Sequence, residues 1–115
     1  MFQKMLQGGS GGSVNFVSFI YTYGFNNGAS YTFECGFKPS MVIFYWKNKY
    51  NTNFNNIYRR DFLEDKFYIT NENVMEELDD SLKNTITQNN NGFTVNMPSN
   101  ITSAAGMTVY LFAVR

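Results

Sequence analysis

Residues 31–46 read YTFECGFKPSMVIFYW, and this stretch decides the fold class. Tyr31, Phe33 and Cys35 alternate with Ser30, Thr32 and Glu34, the period-two pattern of a strand with one face in a core and one in water. Gly36-Phe37-Lys38-Pro39-Ser40 then turns the chain, because Gly36 accepts backbone angles closed to other residues and Pro39 fixes its own φ and donates no amide hydrogen. MVIFYW, residues 41–46, is the next strand. Strands that do not alternate with helices argue against a parallel sheet.

The same alternation of strand and turn extends both ways. Upstream, VNFVSFIYTY (residues 14–23) is apolar on both alternating faces, as expected of a strand covered on both sides or one buried in an oligomer. Asn27-Gly28 follows and suits a tight type I′ hairpin turn. Downstream, an Asn-rich loop over residues 47–56 leads to weak strands at 57–62 and 66–70. The run Asn89-Asn90-Asn91-Gly92 signals a second hairpin, after which Phe93, Val95 and Met97 alternate with Thr94 and Asn96 until Pro98. MTVYLFAV, residues 107–114, is again apolar on both faces, so the last strand is expected in the middle of a sheet.

One segment breaks the β pattern. Across residues 73–83, Asn73 is placed to cap, Glu76 follows three residues later, and Val74, Leu78 and Leu82 fall one helical turn apart. One short helix is expected there, with Glu76, Glu77, Asp79 and Asp80 on its solvated face. Short strands with turn signals between them give an all-β antiparallel β-sandwich with one short helix at about residues 73–83.

At 115 residues the chain fits one core. The boundaries predicted are a flexible anchor or linker over residues 1–13 and a sandwich domain over 14–115. Gly8-Gly9-Ser10-Gly11-Gly12-Ser13 suits a natural tether and an engineered linker alike, and leaves residues 1–7 as a tail free to seek a partner.

Composition argues against catalysis. Histidine is absent, which removes the commonest general base near neutral pH and the commonest metal ligand. No serine stands in a recognisable activating arrangement, and the Gly-rich segment lacks the Lys-Ser or Lys-Thr that closes a phosphate loop. Asp61, Glu64 and Asp65 are read as solvated loop carboxylates, and the single cysteine, Cys35, as a small core residue. No enzyme activity, cofactor or metal is predicted. Nine basic residues balance nine acidic ones, so no long-range field favours nucleic acid. The N-terminus lacks a signal-peptide pattern and no run is long enough to span a bilayer as a helix, so the Asn100-Ile101-Thr102 sequon is incidental.

The most suggestive binding surface is the stretch from residue 45 to 60, where Tyr45, Trp46, Asn48, Tyr50 and Tyr58 mix flat aromatics with amides and suit a saccharide or protein partner. The same aromatics suit a core equally well.

Three elements together carry a resemblance: F-x-x-GFKPS-x-VIFY (residues 33–45), NGFTV (residues 91–95) and TVYLFAV (residues 108–114). This frame is similar to small β-sandwich domains of bacteriophage virion proteins, in tail fibres, tail tips and capsid fibres or decorations, and a related pattern occurs in the trimeric H-type lectin fold. In that frame Gly36, Pro39, Asn91 and Gly92 are structural turn residues. The resemblance implies a homotrimer assembled in the host cytoplasm and located on the virion, anchored to other virion proteins through residues 1–13. The alternative function it implies is a lectin-like module recognising a host-surface glycan, although no sugar-contacting motif of the lectins is matched.

Overall fold

The computed structural model describes residues 2–7, 15–46, 57–71, 74–98 and 106–115. Among the described residues ten strands run in chain order: β1 (Phe2–Gln7), β2 (Phe16–Tyr21), β3 (Ser30–Glu34), β4 (Met41–Trp46), β5 (Ile57–Asp61), β6 (Lys66–Asn71), β7 (Val74–Glu77), β8 (Ile86–Asn89), β9 (Gly92–Asn96) and β10 (Val109–Val114). They form a seven-stranded sheet, β1-β2-β10-β4-β5-β6-β7, and a three-stranded sheet, β3-β9-β8. Every pairing is antiparallel. The two sheets pack face to face, as the sequence predicts.

The core lies between them and is largely aromatic. From the large sheet come Val17 and Phe19 of β2, Val42, Phe44 and Trp46 of β4, Tyr58 of β5, Phe67 of β6, and Val109, Leu111 and Ala113 of β10. Phe33 of β3, Ile86 of β8, and Phe93 and Val95 of β9 meet them from the small sheet. Phe19 bridges the layers, with its ring 5.2 Å from Phe33 and 5.8 Å from Phe93, and those two stack on each other at 5.2 Å. Cys35 is part of this core, its thiol donating to the Phe37 carbonyl at 3.2 Å.

β10 sits between β2 and β4, so the end of the sequence is the interior of the sheet. Val109, Leu111 and Ala113 enter the core, and each large side chain fully buried there is worth about 1.5–3 kcal/mol relative to exposure. Tyr110, Phe112 and Val114 take the opposite face.

Three local expectations are corrected. Residues 73–83 are not one helix. Val74–Glu77 is strand β7, and the single short helix among the described residues is a 3-10 turn, Asp80–Thr85. Backbone groups left open along β6 pair with β7, and so short a helical segment is marginal without tertiary support. The cap is Asp79, whose side chain accepts from the Ser81 amide at 2.9 Å, rather than Asn73. Leu78 and Leu82 still reach the core edge, which accounts for the spacing that suggested a helix.

Asn27-Gly28 does turn the chain, with Gly28 at φ 82°, but β2 and β3 lie in different sheets and the turn is a corner. Its amides serve the neighbouring end of β9: Gly28 donates to the Met97 carbonyl at 2.8 Å and Met97 donates to Ala29 at 3.0 Å. Phe25, fully buried just before the corner, lies 4.5 Å from Tyr31 and 5.9 Å from Phe44, so packing between layers decides against a hairpin. Residues 2–7, expected as part of a free tail, form the edge strand β1 paired along β2 from Phe2↔Tyr21 to Gln7↔Phe16. The Gly/Ser segment 8–13, the loop 47–56 and the sequon at 100–102 lie outside the described residues.

The structural turn residues come together. Gly36 takes φ 87°, and the amides of Cys35 and Gly36 both donate to the Asn91 carbonyl, at 2.9 and 3.0 Å. Pro39 is buried and its carbonyl accepts from Gln88 at 2.6 Å. Gly92 serves a different purpose from the one its hairpin motif implies. Among the described residues Asp65 is the non-glycine with positive φ, so the turn at Asn90-Asn91 closes without left-handed residues. Gly92 is needed instead for close approach: a Cβ there would overlap the Phe33 carbonyl oxygen and meet the Glu34 Cα at 3.0 Å. Gly92→Ala is therefore expected to cost about 3 kcal/mol by forcing β3 and β9 apart, measured by urea unfolding.

Candidate interaction surface

Register fixes which side chains share the outer face of the large sheet. One row crosses it as Ser18, Phe112, Ile43, Arg59, Tyr68 and Glu77. A second row runs Ile20, Tyr110, Tyr45, Ile57, Thr70 and Met75, and a third runs Phe16, Val114, Met41, Asp61 and Lys66. Over β2, β10 and β4 these rows hold Ser18 as their one polar aliphatic side chain, and Ser18 is buried. Charged residues appear only towards β5, β6 and β7.

The aromatic members of this face stack on one another. Tyr45 lies 5.3 Å from Tyr110 and 6.2 Å from Phe112, and Phe112 lies 5.7 Å from Phe16. Mutual crowding leaves them half-buried rather than covered. Ile57 and Met75 are exposed at 38% and 54%.

The outer face of the small sheet is the opposite in character. Ser30, Thr32 and Glu34 of β3, Thr94 and Asn96 of β9, and Thr87 and Asn89 of β8 line it. Ser30 donates to Asn96 at 2.7 Å and the Thr32 and Thr94 hydroxyls lie 3.0 Å apart. An antiparallel sandwich ordinarily presents polar outer faces of this kind. The large sheet departs from that rule, and its apolar face is the candidate site.

Arg59 stands at the border between the apolar and charged parts. Its guanidinium sits over the Tyr68 ring at 4.6 Å from the centroid, and one terminal nitrogen reaches the Met75 sulfur at 3.6 Å. Its Nε is buried without a hydrogen-bond partner among the described residues. A buried N–H left in that state costs on the order of 1–3 kcal/mol.

The five aromatic and amide residues singled out from the sequence do not form one surface. Trp46 and Tyr58 point inward and are buried, stacking on each other at 5.7 Å and on Phe44. Tyr45 alone of the described three lies on the outer face. Asn48 and Tyr50 lie outside the described residues. Alternation within MVIFYW forces this split, since adjacent residues of one strand cannot share a face. Phe16, Ile43, Tyr110 and Phe112 belong to the surface instead; the apolar runs at residues 14–23, 41–46 and 107–114 were the signal that carried them.

The loop carboxylates have structural partners. Asp61 accepts from the amides of Leu63 and Glu64, both at 3.0 Å, and so closes the turn between β5 and β6. Asp65 pairs with Arg60 at 2.7 Å and Lys83 at 3.3 Å, joining that turn to the 3-10 helix. Arg60 is itself buried and also donates to the carbonyls of Lys83, Asp61 and Lys66. Hydrogen bonds from Arg60 and Lys83 hold the Asp65 carboxyl below its ordinary pKa, and the Ser81 amide does the same for Asp79.

Comparison with protein-family models, with curated proteins and with solved structures gives no match for this chain.

Depressed carboxyl pKa values contribute stability that is present above the unfolded-state range and lost as pH falls through the folded value. The melting temperature is therefore expected to drop on acidification below about pH 4, and Asp65→Asn to show a smaller drop than the wild type, by circular dichroism.

Proposed function

We propose that this chain is a non-catalytic structural protein of a bacteriophage virion, a capsid decoration, capsid fibre or tail component, that assembles with copies of itself through the outer face of its large sheet. The observation that carries assembly is the contrast between the two outer faces: one polar and hydrogen-bonded within itself, the other an aromatic and aliphatic surface running across β2, β10 and β4.

Size agrees with this reading. Seven strands of about six residues, spaced roughly 4.8 Å apart, give the sheet a flat footprint of roughly 650 Å². Side-chain relief raises the accessible area towards the ~800 Å² per partner of a stable interface. The apolar rows occupy three of these strands, β2, β10 and β4, roughly 290 Å² of that footprint, a patch of a size that on a single domain is often functional. Zero net charge adds no long-range repulsion between copies.

The virion setting and the trimer rest on the resemblance of residues 33–45, 91–95 and 108–114. The glycan-binding alternative has no comparable support, because Trp46 and Tyr58 are in the core and only Tyr45 of its described residues is accessible on the sheet face.

Light scattering at micromolar concentration is expected to give a mass above one chain, with three chains as the mass the resemblance implies. Phe112→Glu, which places a carboxylate in the centre of the apolar rows, is expected to weaken association by at least about 100-fold while retaining a cooperative melt. Thr87→Glu, on the polar face of the small sheet, is expected to leave the mass unchanged. A wild-type chain that stays monomeric at 100 μM, a concentration at which ~800 Å² of matched surface associates, overturns the reading.

A further inference from the structure

We infer that β1 is exchanged between copies, the Phe2–Gln7 segment of one chain pairing with β2 of its neighbour. This rests on the assembly reading above and assigns the strand that links one copy to the next.

The two edges of the large sheet differ. At one edge β7 presents Glu76 and Glu77, both exposed, and charge of this kind discourages further strand addition. At the other, β2 carries FVSFIY over Phe16–Tyr21, six residues with no charge and no proline. Left uncovered, such a strand would be a ready template for non-specific pairing. A covering strand is required there, and β1 supplies it with six register pairs.

Nothing in that cover depends on which copy provides it. β1 is the end strand and hydrogen-bonds to β2 alone. Its pairing with a neighbour's β2 reproduces the same backbone ladder, so exchange between identical chains sacrifices no contact and leaves no edge bare.

Connection length points the same way. Two residues join β8 to β9, two join β6 to β7, and four join β5 to β6, as is usual for hairpins. Eight residues separate Gln7 from Phe16. Closing a hairpin does not need that length, whereas an eight-residue connection spans up to about 27 Å when extended. Gly8, Gly9, Gly11 and Gly12 with Ser10 and Ser13 impose no side-chain obstacle to such a crossing. Within an assembly the tether also holds β1 at high effective concentration near a neighbour's edge, which favours exchange without any new contact.

Cysteine cross-linking in a Cys35→Ala background tests the pairing. Chains carrying Gln3→Cys are co-expressed with chains carrying Ile20→Cys, the register partner of residue 3, then oxidised and run on a non-reducing gel. Exchange predicts a covalent dimer between the two variants, at least about tenfold more abundant than in a control combining Gln7→Cys with Ile20→Cys, whose positions are out of register. Circular dichroism confirms that each variant is folded. Equal cross-linking of matched and mismatched pairs indicates proximity without strand pairing and overturns the inference. So does a Gln3→Cys/Ile20→Cys double variant that closes only within one chain while light scattering still reports an oligomer; assembly then stands and exchange fails. A monomeric mass with no cross-link between chains removes both.

Discussion

The rest of the structure depends on β10 being hydrogen-bonded on both sides. Six residues near the end of the sequence lie between β2 and β4, so those two strands are joined through it. With both backbone edges satisfied, its side chains divide cleanly. One set, Val109, Leu111 and Ala113, builds the core with β2 and β4. The other, Tyr110, Phe112 and Val114, builds the centre of the outer face. A single strand thereby joins the folding core to the candidate interface, with alternate side chains serving each.

The two sheets have unequal roles in consequence. The small sheet closes the core with Phe33, Phe93 and Val95 and turns hydroxyls and amides to solvent, where pairs such as Thr32 with Thr94 satisfy one another. The large sheet buries apolar side chains inward and presents more of them outward. Burial of that second face is worth having only against a partner, since aromatic rings already stacked side by side still leave one side of each open to water. The proposed self-assembly through this face and the proposed exchange of β1 at its edge would engage the same sheet from two directions, one through side chains and one through backbone.

Charge is used sparingly and locally. Arg60 is buried yet donates to Asp65 and to three backbone carbonyls, so it ties the β5–β6 turn and the 3-10 helix to the sheet end. Arg59, its neighbour in sequence, faces the other way and keeps its Nε unpartnered among the described residues. Adjacent arginines on one strand thus serve the interior and the surface, a division imposed by the pleat.

Much of the fold was legible because period-two patterning depends only on neighbouring residues. Tyr31, Phe33 and Cys35 against Thr32 and Glu34 marked a half-wet strand, MVIFYW matched β4 end to end, and the apolar run at residues 107–114 placed the last strand inside a sheet. Features needing a partner distant in sequence were not legible. Asn27-Gly28 has the composition of a hairpin turn, but Phe25 packing between layers makes it a corner. Val74, Leu78 and Leu82 have helical spacing, but the open edge of β6 draws Val74–Glu77 into a strand. Trp46 and Tyr58 are aromatic wherever they point, and only register shows that they face the core while Tyr45 faces out. By itself the sequence determined strands β2 to β6, β9 and β10 and the presence of two doubly apolar segments, because these follow from local stereochemistry and alternation. The assignment of each strand to a sheet, of each apolar face to core or surface, and of residues 2–7 to an edge was decided by tertiary structure alone, because hydrogen-bond pairing and burial belong to pairs of segments and not to either one.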